Sequence, residues 1–513
     1  MTAKLSPPVS ITRHGGYQLL KLTGLGVLML LSVVLLDACS RDQGRQEIRS
    51  VVSQLPQTLD PRYATDAASS RVNHLLYRSL VDFDEHSRPR PALANWRVLS
   101  PRLFRFTLGK QGRQFHDGRY LTAEDVAATY QSLQELPDSP HSAEFANISK
   151  IEVRDENTLD FFLRDADSNF PSRLIVGILP AELIAKGHDF SREPVGSGSF
   201  KFVSWQRALK LQRVADKQDV LFEEIRDPTV RVLKLVRGET DILQGELPPE
   251  LVSYLQKQPG LTVEQSQGSN FAYLGLNMQD PVLQRPEVRQ ALAYAIDRRA
   301  IIQHALVGGS RLAETILPPE HWAGNANLQA HEYDPAKARQ LLTQAGIKLP
   351  LKLVYKSSTT VQWVRLATMM QAQMREAGVE LEIRSLDWGT FFEDIKRGNF
   401  QLYGMMWVGI KTPEIYHLAF HSTSVPPKGA NRGHYADRST DDMIAVSDWQ
   451  RVAARIHEQL PYLPLWYEGQ FVAMRKELTG YTLRADGSWD GLEQVKRKRL
   501  KSVFPGRNSV EGS

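Results

Sequence analysis

The residues whose spacing comes nearest to a metal site are two histidines and a carboxylate close together in the chain. His417 and His421 are four residues apart and Glu414 lies one helical turn earlier, so on a helix the three would share a face, as metal ligands can. A histidine pair on a polar helix face explains the same spacing without a metal. The sequence leaves both interpretations open.

Motifs of catalysis are mostly absent from the rest of the chain. Residues 196–200 read Gly-Ser-Gly-Ser-Phe, which fits neither the G-x-S-x-G of a nucleophile elbow nor the G-K-[ST] of a phosphate-binding loop. His457 and Glu458 are followed by Gln459 and Leu460, so they do not complete an H-E-x-x-H zinc motif. The sequence therefore offers no complete local enzyme motif, and we expect neither a cofactor nor a resident metal.

The composition is that of an ordinary globular protein. Of the 513 residues, 42% are hydrophobic and 24% are charged, which excludes a disordered chain, a coiled coil, a collagen and a polytopic membrane protein. The length favours about two to four domains. The single cysteine excludes an intrachain disulfide, and a net charge of +5 gives no reason to expect a nucleic-acid partner.

The N-terminus has the pattern of a signal peptide. Residues 1–23 carry basic side chains and no acidic one, and the apolar run at 25–36 is too short to span a bilayer comfortably. The run ends in Leu-Asp-Ala-Cys, which resembles a bacterial lipobox except at Asp37.

These features predict a signal peptide over 1–38, a lipid on Cys39 and a polar tether over 39–47. The protein would then lie in the periplasmic space of the cell envelope, anchored to a membrane through that lipid. A signal peptide without lipid and an uncleaved N-terminal anchor are the alternatives.

Hydrophobic periodicity predicts an α/β protein. Alternating or short apolar runs predict strands, and helical spacing between capping and stop signals predicts helices. The strand, helix and strand between 351 and 386 form a βαβ unit, whose crossover should be right-handed. The predicted strands are 48–52, 103–108, 158–163, 209–214, 351–355 and 379–386; the predicted helices are 122–136, 286–306 with Asp297 as an internal cap, 335–346 and 361–377.

Eight short segments, in one order along the chain, resemble the motifs of a single family. They are 59–61 (LDP), 76–81 (LYRSLV), 91–96 (PALANW), 104–126 (FRFTLGKQGRQFHDGRYLTAEDV), 194–200 (PVGSGSF), 238–241 (GETD), 276–277 (LN) and 288–297 (VRQALAYAID). Each segment alone is a weak signal. Together they resemble the extracellular solute-binding proteins of family 5, which serve the peptide and nickel ABC transporters.

The resemblance implies a periplasmic-binding-protein-like fold of type II, similar to cluster C, with two lobes, a hinge and an extra inserted domain. Lobe I would be discontinuous, lobe II would be a single segment, and the ligand would bind between them. The implied ranges are 48–75, 190–268 and 468–513 for lobe I, 76–189 for the inserted domain and 269–467 for lobe II. The lobes would close by hinge motion because closure adds ligand contacts on both sides.

The resemblance also places the ligand beside residues 404–414. Peptide binders of this family receive the peptide ammonium on an aspartate in a W-x-x-D segment; here Trp407 is kept, but Ile410 stands at the aspartate position. Lys411 would repel an ammonium if it pointed inward. Three outcomes stay open: Glu414 takes the ammonium, the ligand has a blocked or absent amine, or the register of the match is shifted.

The backbone of this segment can still pair with an extended ligand by strand addition, and nearby aromatic rings can form apolar walls. The plain alternative for each aromatic residue is core packing. The residues that we expect at the ligand are Tyr63, Gly198, Trp388, Gly404, Met406, Trp407, Val408 and Glu414.

The function that the resemblance implies is that of a lipid-anchored substrate-binding protein of an ABC importer. It would capture a peptide-like solute and deliver it unchanged to a permease and ATPase complex. A nickel-chelate or haem-type cargo is the first alternative, with His417 and His421 as the residues to test. A sensor lipoprotein without a transporter and an enzyme on the same scaffold are the others.

Overall fold

The computed structural model describes residues 47–84, 86–136 and 138–498. The predicted signal peptide, the lipid on Cys39 and nearly all of the tether lie outside the described residues and stay predictions. Within those ranges, no helix combines the length and the apolar character needed to cross a membrane.

The secondary structure of the described residues is mixed. The strands are β1 Ile48–Val52, β2 Val81–Phe83, β3 Pro89–Pro91, β4 Ala94–Ser100, β5 Leu103–Leu108, β6 Ile148–Asp155, β7 Thr158–Leu163, β8 Phe200–Trp205, β9 Ala208–Arg213, β10 Asp219–Glu224, β11 Ile242–Gln244, β12 Leu261–Leu276, β13 Arg311–Leu312, β14 Leu351–Ser358, β15 Val379–Leu386, β16 Leu402–Trp407, β17 Tyr462–Arg475, β18 Leu478–Thr479 and β19 Lys496–Arg497. The helices are α1 Ala67–Leu76, α2 Ala123–Glu135, α3 Ala181–Ala185, α4 Pro228–Val236, α5 Pro249–Gln256, α6 Pro286–Tyr294, α7 Arg298–Ala305, α8 Pro335–Gln344, α9 Val361–Glu376, α10 Trp388–Lys396, α11 Glu414–Phe420, α12 Arg438–Ala445 and α13 Trp449–Gln459.

Capping residues explain why several helices start where the sequence predicts. Asp297 accepts a hydrogen bond from the Ala300 amide at 2.9 Å and starts α7 directly after α6, so the predicted internal cap is confirmed. Asp334 caps α8 in the same way, through the Lys337 amide. The predicted βαβ unit is confirmed as β14, α9 and β15, with the two strands parallel and in continuous register.

One large sheet runs through most of the described chain. Its strand order is β15-β14-β16-β12-β17-β11-β1-β10-β9-β8, and β13 pairs beside β17. The long strands β12 and β17 are antiparallel partners and lie in the middle of the sheet. Their first and last halves pair with different neighbours, so these two strands connect two parts of the molecule.

The pairing of β12 with β17 is interrupted between Ser266 and Asn270. Gly268 lies in this interruption, where a Cβ would come within 1.7 Å of the Glu468 carbonyl oxygen. Only glycine fits so close to another backbone. An irregular stretch of this kind bends a strand locally, so it is the natural position for a hinge.

Separate apolar clusters pack against the two ends of the large sheet and against a smaller sheet. One cluster packs β1 and β11 against α4 and α5. Two larger clusters pack on β12, β14, β16 and β17. A fourth covers the four-stranded sheet β4-β5-β7-β6 with α2. The boundaries given above for the lobes and the inserted domain stay predictions.

Candidate ligand-binding site

Strand β16 carries three of the residues predicted to contact the ligand: Gly404, Met406 and Trp407. One edge of the strand pairs with β12 along its whole length. On the other edge, β14 pairs with β16 only at Leu402 and Tyr403. Within the described part of the chain, the strand is therefore paired on a single edge from Gly404 onward.

Gly404 lets a large side chain lie across one face of the strand. A Cβ at this position would lie 2.0 Å from the Tyr355 hydroxyl, so only glycine allows this approach. Met406, Trp407 and Val408 are half-buried rather than covered. We call the edge of β16 that the described residues leave unpaired from Gly404 to Trp407 the open edge.

Side chains from other segments hold the loop at 408–413, which follows β16. Gly409 has a φ of +70° and donates its amide hydrogen to Asn270 Oδ1 at 3.1 Å. The His321 ring lies 3.1 Å from the Lys411 carbonyl oxygen. Ile410 is half-buried and packs against the apolar cluster that contains Tyr416. The position where the resemblance expects an aspartate thus contributes packing and no negative charge.

Trp407 and Trp388 belong to one strip of side chains, in which Arg432 and Phe392 lie between them. The Arg432 guanidinium lies 5.0 Å from the Trp407 ring centre and 5.4 Å from that of Phe392. Phe392 in turn stacks on Trp388 at 5.6 Å. The four side chains form a continuous strip, which we call the aromatic wall. Trp388 is 47% exposed, so this end of the wall is open to solvent.

Arg432 is the charged member of the wall. It is buried, its Nη1 donates to the Tyr273 hydroxyl at 3.2 Å, and no carboxylate of the described residues lies within ion-pair distance. The faces of Trp407 and Phe392 stabilise the cation in part. The indole Nε1 of Trp407 is buried and has no hydrogen-bond partner among the described residues. The wall therefore holds an unpaired cation and an unused donor.

Lys411 is neutralised by a residue from the C-terminal part of the chain. Its Nζ lies 2.9 Å from Asp486 Oδ2, and Asp82 and Asp490 add negative charge nearby. Burial alone would raise the pKa of Asp486, but the Lys411 ammonium and the Ser488 amide lower it to about 2. Lys411 therefore does not stand as a free charge that repels a ligand.

Glu414, the predicted substitute for the missing aspartate, is also engaged. It begins α11 and forms an ion pair with Arg173, whose Nε also lies 2.9 Å from Asp167. Burial raises the pKa of Glu414, and the Arg173 guanidinium opposes that rise. An incoming ammonium would have to compete with this guanidinium.

The contacts of Lys411 with Asp486 and of Glu414 with Arg173 join three stretches of the chain. We call this junction the seam. A third contact supports it, because Trp322 Nε1 donates to the Ser87 carbonyl oxygen at 3.2 Å. The seam lies at the C-terminal end of β16, directly beyond the open edge.

Gly198 lies where three segments meet closely. Its amide donates to the Leu76 carbonyl oxygen at 2.8 Å, and a Cβ would lie 2.2 Å from the Leu75 carbonyl oxygen. The His116 ring contacts the Gly198 carbonyl oxygen at 3.1 Å. This crowding explains the glycine, and its role at the ligand stays a prediction.

Tyr63 is half-buried in a turn, with its amide 3.1 Å from the Asp60 carbonyl oxygen. Its two neighbours in sequence, Arg62 and Ala64, contact another segment. Ser139 donates to the Arg62 carbonyl oxygen, and the His141 ring contacts the Ala64 carbonyl oxygen. These contacts position Tyr63 beside the residues that follow α2. Its role at the ligand stays a prediction.

The two histidines that suggested a metal lie at the end of α11. The rings of His417 and His421 stack with their centres 4.5 Å apart, so the predicted pairing on one face is confirmed. His421 Nδ1 contacts the Thr423 hydroxyl at 2.9 Å and His417 Nδ1 contacts Ser424 at 3.4 Å. Glu414 points instead to Arg173, so the predicted trio does not form a ligand set.

Comparison with known proteins decides the family. Residues 88–426 match the model described as bacterial extracellular solute-binding proteins, family 5. The chain belongs to that family. It is 30% identical over 471 residues to the probable di/tripeptide-binding protein 5 of Pseudomonas aeruginosa, covering 81% of this chain and 89% of that protein. It is 26% identical over 520 residues to the oligopeptide-binding protein AppA of Bacillus subtilis, covering 89% of this chain and 95% of that protein.

A solved structure supports the same assignment at the level of fold. AppA of Bacillus subtilis, in complex with a nonapeptide, matches this family 5 protein with a TM-score of 0.78 at 22% identity, covering 88% of this chain and 99% of that chain. The predicted two-lobed fold of the periplasmic binding proteins is thereby confirmed.

Sequence reasoning missed four residues of the site in this family 5 protein. Arg432 and Phe392 complete the aromatic wall, and Asp486 and Arg173 complete the seam. Arg432, Asp486 and Arg173 lie far along the chain from their partners and in no motif, so no local pattern signals them. Phe392 lies one helical turn after Trp388 on α10, a spacing that the sequence does display. A search for buried arginines could not have found Arg432 either, because burial depends on the folded packing.

Proposed function

We propose that this chain is the lipid-anchored binding protein of an ABC importer and that its cargo is a peptide-like solute. Membership of a solute-binding family supports binding and release without reaction. The names of the relatives, which specify dipeptides, tripeptides and oligopeptides, support the class of cargo. The observation that carries the proposal is the open edge of β16, which ends at the aromatic wall and the seam.

An extended cargo backbone can pair with that edge. Strand addition satisfies the amide and carbonyl groups of both partners and needs no particular side chain. The backbone of β16 beyond Tyr403 has no strand partner on this edge among the described residues, and Met406, Trp407 and Val408 are only half-buried. This mode suits any peptide-like molecule with a regular main chain.

The aromatic wall adds two groups that suit a peptide. The unpartnered Nε1 of Trp407 can donate to a carbonyl oxygen of the cargo, which removes the cost of an unsatisfied buried donor. The unpaired charge of Arg432 lies behind the same ring and favours a carboxylate nearby. Cargo with a free carboxylate is therefore favoured over neutral cargo.

The amino end of the cargo receives no comparable partner at the expected position. Ile410 carries no charge, while Glu414 and Asp486 are neutralised by Arg173 and Lys411. A buried ammonium without a carboxylate costs several kcal/mol. We therefore expect this protein to hold the cargo by its main chain and carboxylate and to ignore whether the amine is free.

The experiment is a calorimetric titration of tripeptides and of the same peptides with an acetylated amine. The proposal predicts affinities that agree within about threefold, less than 1 kcal/mol. Replacing Ile410 by Asp restores the counter-charge and should make the free amine the better ligand. A hundredfold preference of the wild type for the free amine would refute the amine argument. No binding by any peptide would refute the cargo class.

The remaining parts of the proposal concern the cell envelope. Cys39 would carry the lipid, the signal peptide over 1–38 would direct export to the periplasmic space, and a permease with its ATPase would receive the cargo. Mass spectrometry of the mature N-terminus tests the lipid directly: the proposal predicts an acylated cysteine as the first residue. An unmodified Cys39 would leave a protein that is not anchored in this way.

A further inference from the structure

The two ends of a long loop and one helix bring together three side chains that can bind a metal. Residues 313–334 contain no helix or strand. Glu314 lies near the start of this loop, His331 near its end, and His457 on α13 beside both. One ligand atom from each residue can be chosen so that all three lie within 4.8 Å of one another.

The three side chains are held close together, and two of their buried polar atoms lack a hydrogen-bond partner among the described residues. His457 Nδ1 lies 3.0 Å from the Glu314 carbonyl oxygen and 3.6 Å from its Oε2, so the ring is held against the carboxylate. The ring centres of His331 and His457 are 4.6 Å apart. Glu314 Oε2 and His331 Nδ1 are both buried, and neither has a hydrogen-bond partner among the described residues.

Unsatisfied buried polar atoms are costly, and two of them on residues of one cluster need an explanation. We propose that Glu314, His331 and His457 bind one Zn²⁺ ion, which fastens both ends of loop 313–334 to α13. Two imidazoles and one carboxylate are a common protein ligand set for zinc, with the fourth position left to water.

Arg298 is the group that opposes a cation at this site. Its Nη2 lies 3.0 Å from Glu314 Oε1, while its Nη1 donates to the carbonyl oxygens of Ala313 and Pro464. Lys337 adds further positive charge near His331. The Glu314 carboxylate neutralises the Arg298 guanidinium and the carbonyl oxygens fix it, while Glu314 Oε2 accepts no hydrogen bond from the described residues. The charge of Arg298 weakens the site without blocking it, so we expect weaker zinc binding than at a site of uncompensated carboxylates.

The proposed zinc site shares no residue with the aromatic wall, the seam or the stacked pair His417 and His421. It is therefore a separate site. A cavity of about 10 Å³ is bordered by His331 and Arg298, and neither Glu314 nor His457 lines it.

Zinc binding at the two ends of the loop should also affect the seam, because the middle of the loop contacts it. His321 and Trp322 lie in the middle of the loop, where they contact the Lys411 carbonyl oxygen and the Ser87 carbonyl oxygen. Holding both ends of a long loop together reduces the number of conformations that the loop can adopt. Zinc should therefore stabilise the fold and reduce amide exchange in 313–334, whether or not cargo is present.

The test is zinc titration of the full-length protein after removal of metals with a chelator. We expect one Zn²⁺ per chain, and at least tenfold weaker binding after His331→Ala, His457→Ala or Glu314→Gln. His304→Ala is the matched control, because His304 is an exposed histidine on α7 of the same region. The midpoint of thermal unfolding should rise with zinc in the wild type and the control and not in the three variants.

A second measurement on the wild type covers the case in which a variant fails to fold. Bound Co²⁺ in place of zinc should give the strong visible absorption of a four-coordinate site. Weak absorption typical of hydrated Co²⁺, zinc affinity unchanged in all three variants, or loss of binding only in His417→Ala would each overturn the proposal.

Discussion

Replacing Asp486 by Asn should weaken the seam in a way that depends on pH. The Lys411 ammonium lies 2.9 Å from this carboxylate, and the two side chains are 26% and 16% exposed. The pKa of Asp486 falls from its ordinary 3.8 to about 2. One pKa unit corresponds to about 1.36 kcal/mol, so the lowered pKa corresponds to about 2 kcal/mol of stabilisation of the folded protein at neutral pH. Lys411 and Ser488 together supply this stabilisation against the cost of burial.

The sign follows from the lowered pKa. Above pH 3.8 the carboxylate is charged in both the folded and the unfolded chain, and the full contribution is present. Between pH 4 and pH 2 the unfolded chain takes up the proton first, so the contribution disappears. The difference in unfolding free energy between wild type and Asp486→Asn should therefore be about 2 kcal/mol at pH 7 and smaller at pH 3.

The assay is urea unfolding of wild type, Asp486→Asn, Lys411→Met and the double variant. The double-mutant cycle isolates the part that comes from Lys411, which should be about 1 kcal/mol or more at pH 7. Asp442→Asn is the control, because its contact with Arg438 is long, 3.9 Å, and exposed; it should change nothing measurable. A coupling below about 0.5 kcal/mol, or one that is the same at both pH values, would refute the role given to this pair.

Three further predictions concern single positions. Trp407→Ala should weaken peptide binding at least tenfold, about 1.4 kcal/mol, by calorimetry, and Trp407→Phe should lose less; equal affinities would remove this residue from the site. Gly198→Ala should lower the thermal midpoint strongly because its Cβ would meet a backbone oxygen at 2.2 Å, whereas Gly260→Ala, in open space, should not. Burial raises the pKa of Glu468 to about 7, so the folded protein keeps a proton that the unfolded chain has lost between pH 4.5 and 7. Glu468→Gln should therefore raise the thermal midpoint at pH 8 and leave it unchanged at pH 4; the opposite order would contradict the assignment.

Local signals made much of the fold predictable. The strands at Leu103–Leu108 and Thr158–Leu163 and the unit of β14, α9 and β15 lie where the periodicity placed them. Asp297 and Asp334 cap their helices because short acidic side chains satisfy free amides at a helix start. These features depend on neighbours in sequence, which a single chain displays directly.

Contacts between distant segments were not predictable in the same way. The pairing of Lys411 with Asp486 and the strip from Trp407 through Arg432 to Trp388 depend on the folded arrangement of the chain. Sequence spacing suggested that Glu414 was free to hold an ammonium, whereas Arg173 occupies it. The family motif predicted where the site lies, and only the structure showed which charges of that segment are already neutralised.

Hydrogen exchange with a saturating tripeptide tests the central claim most directly, namely that cargo lies along the open edge of β16 and against the seam. The account predicts slower exchange at residues 404–408, where a cargo backbone pairs, and at 484–490, where the seam closes over it. Protection confined to other parts of the chain, or none at all under conditions where calorimetry shows binding, would contradict it.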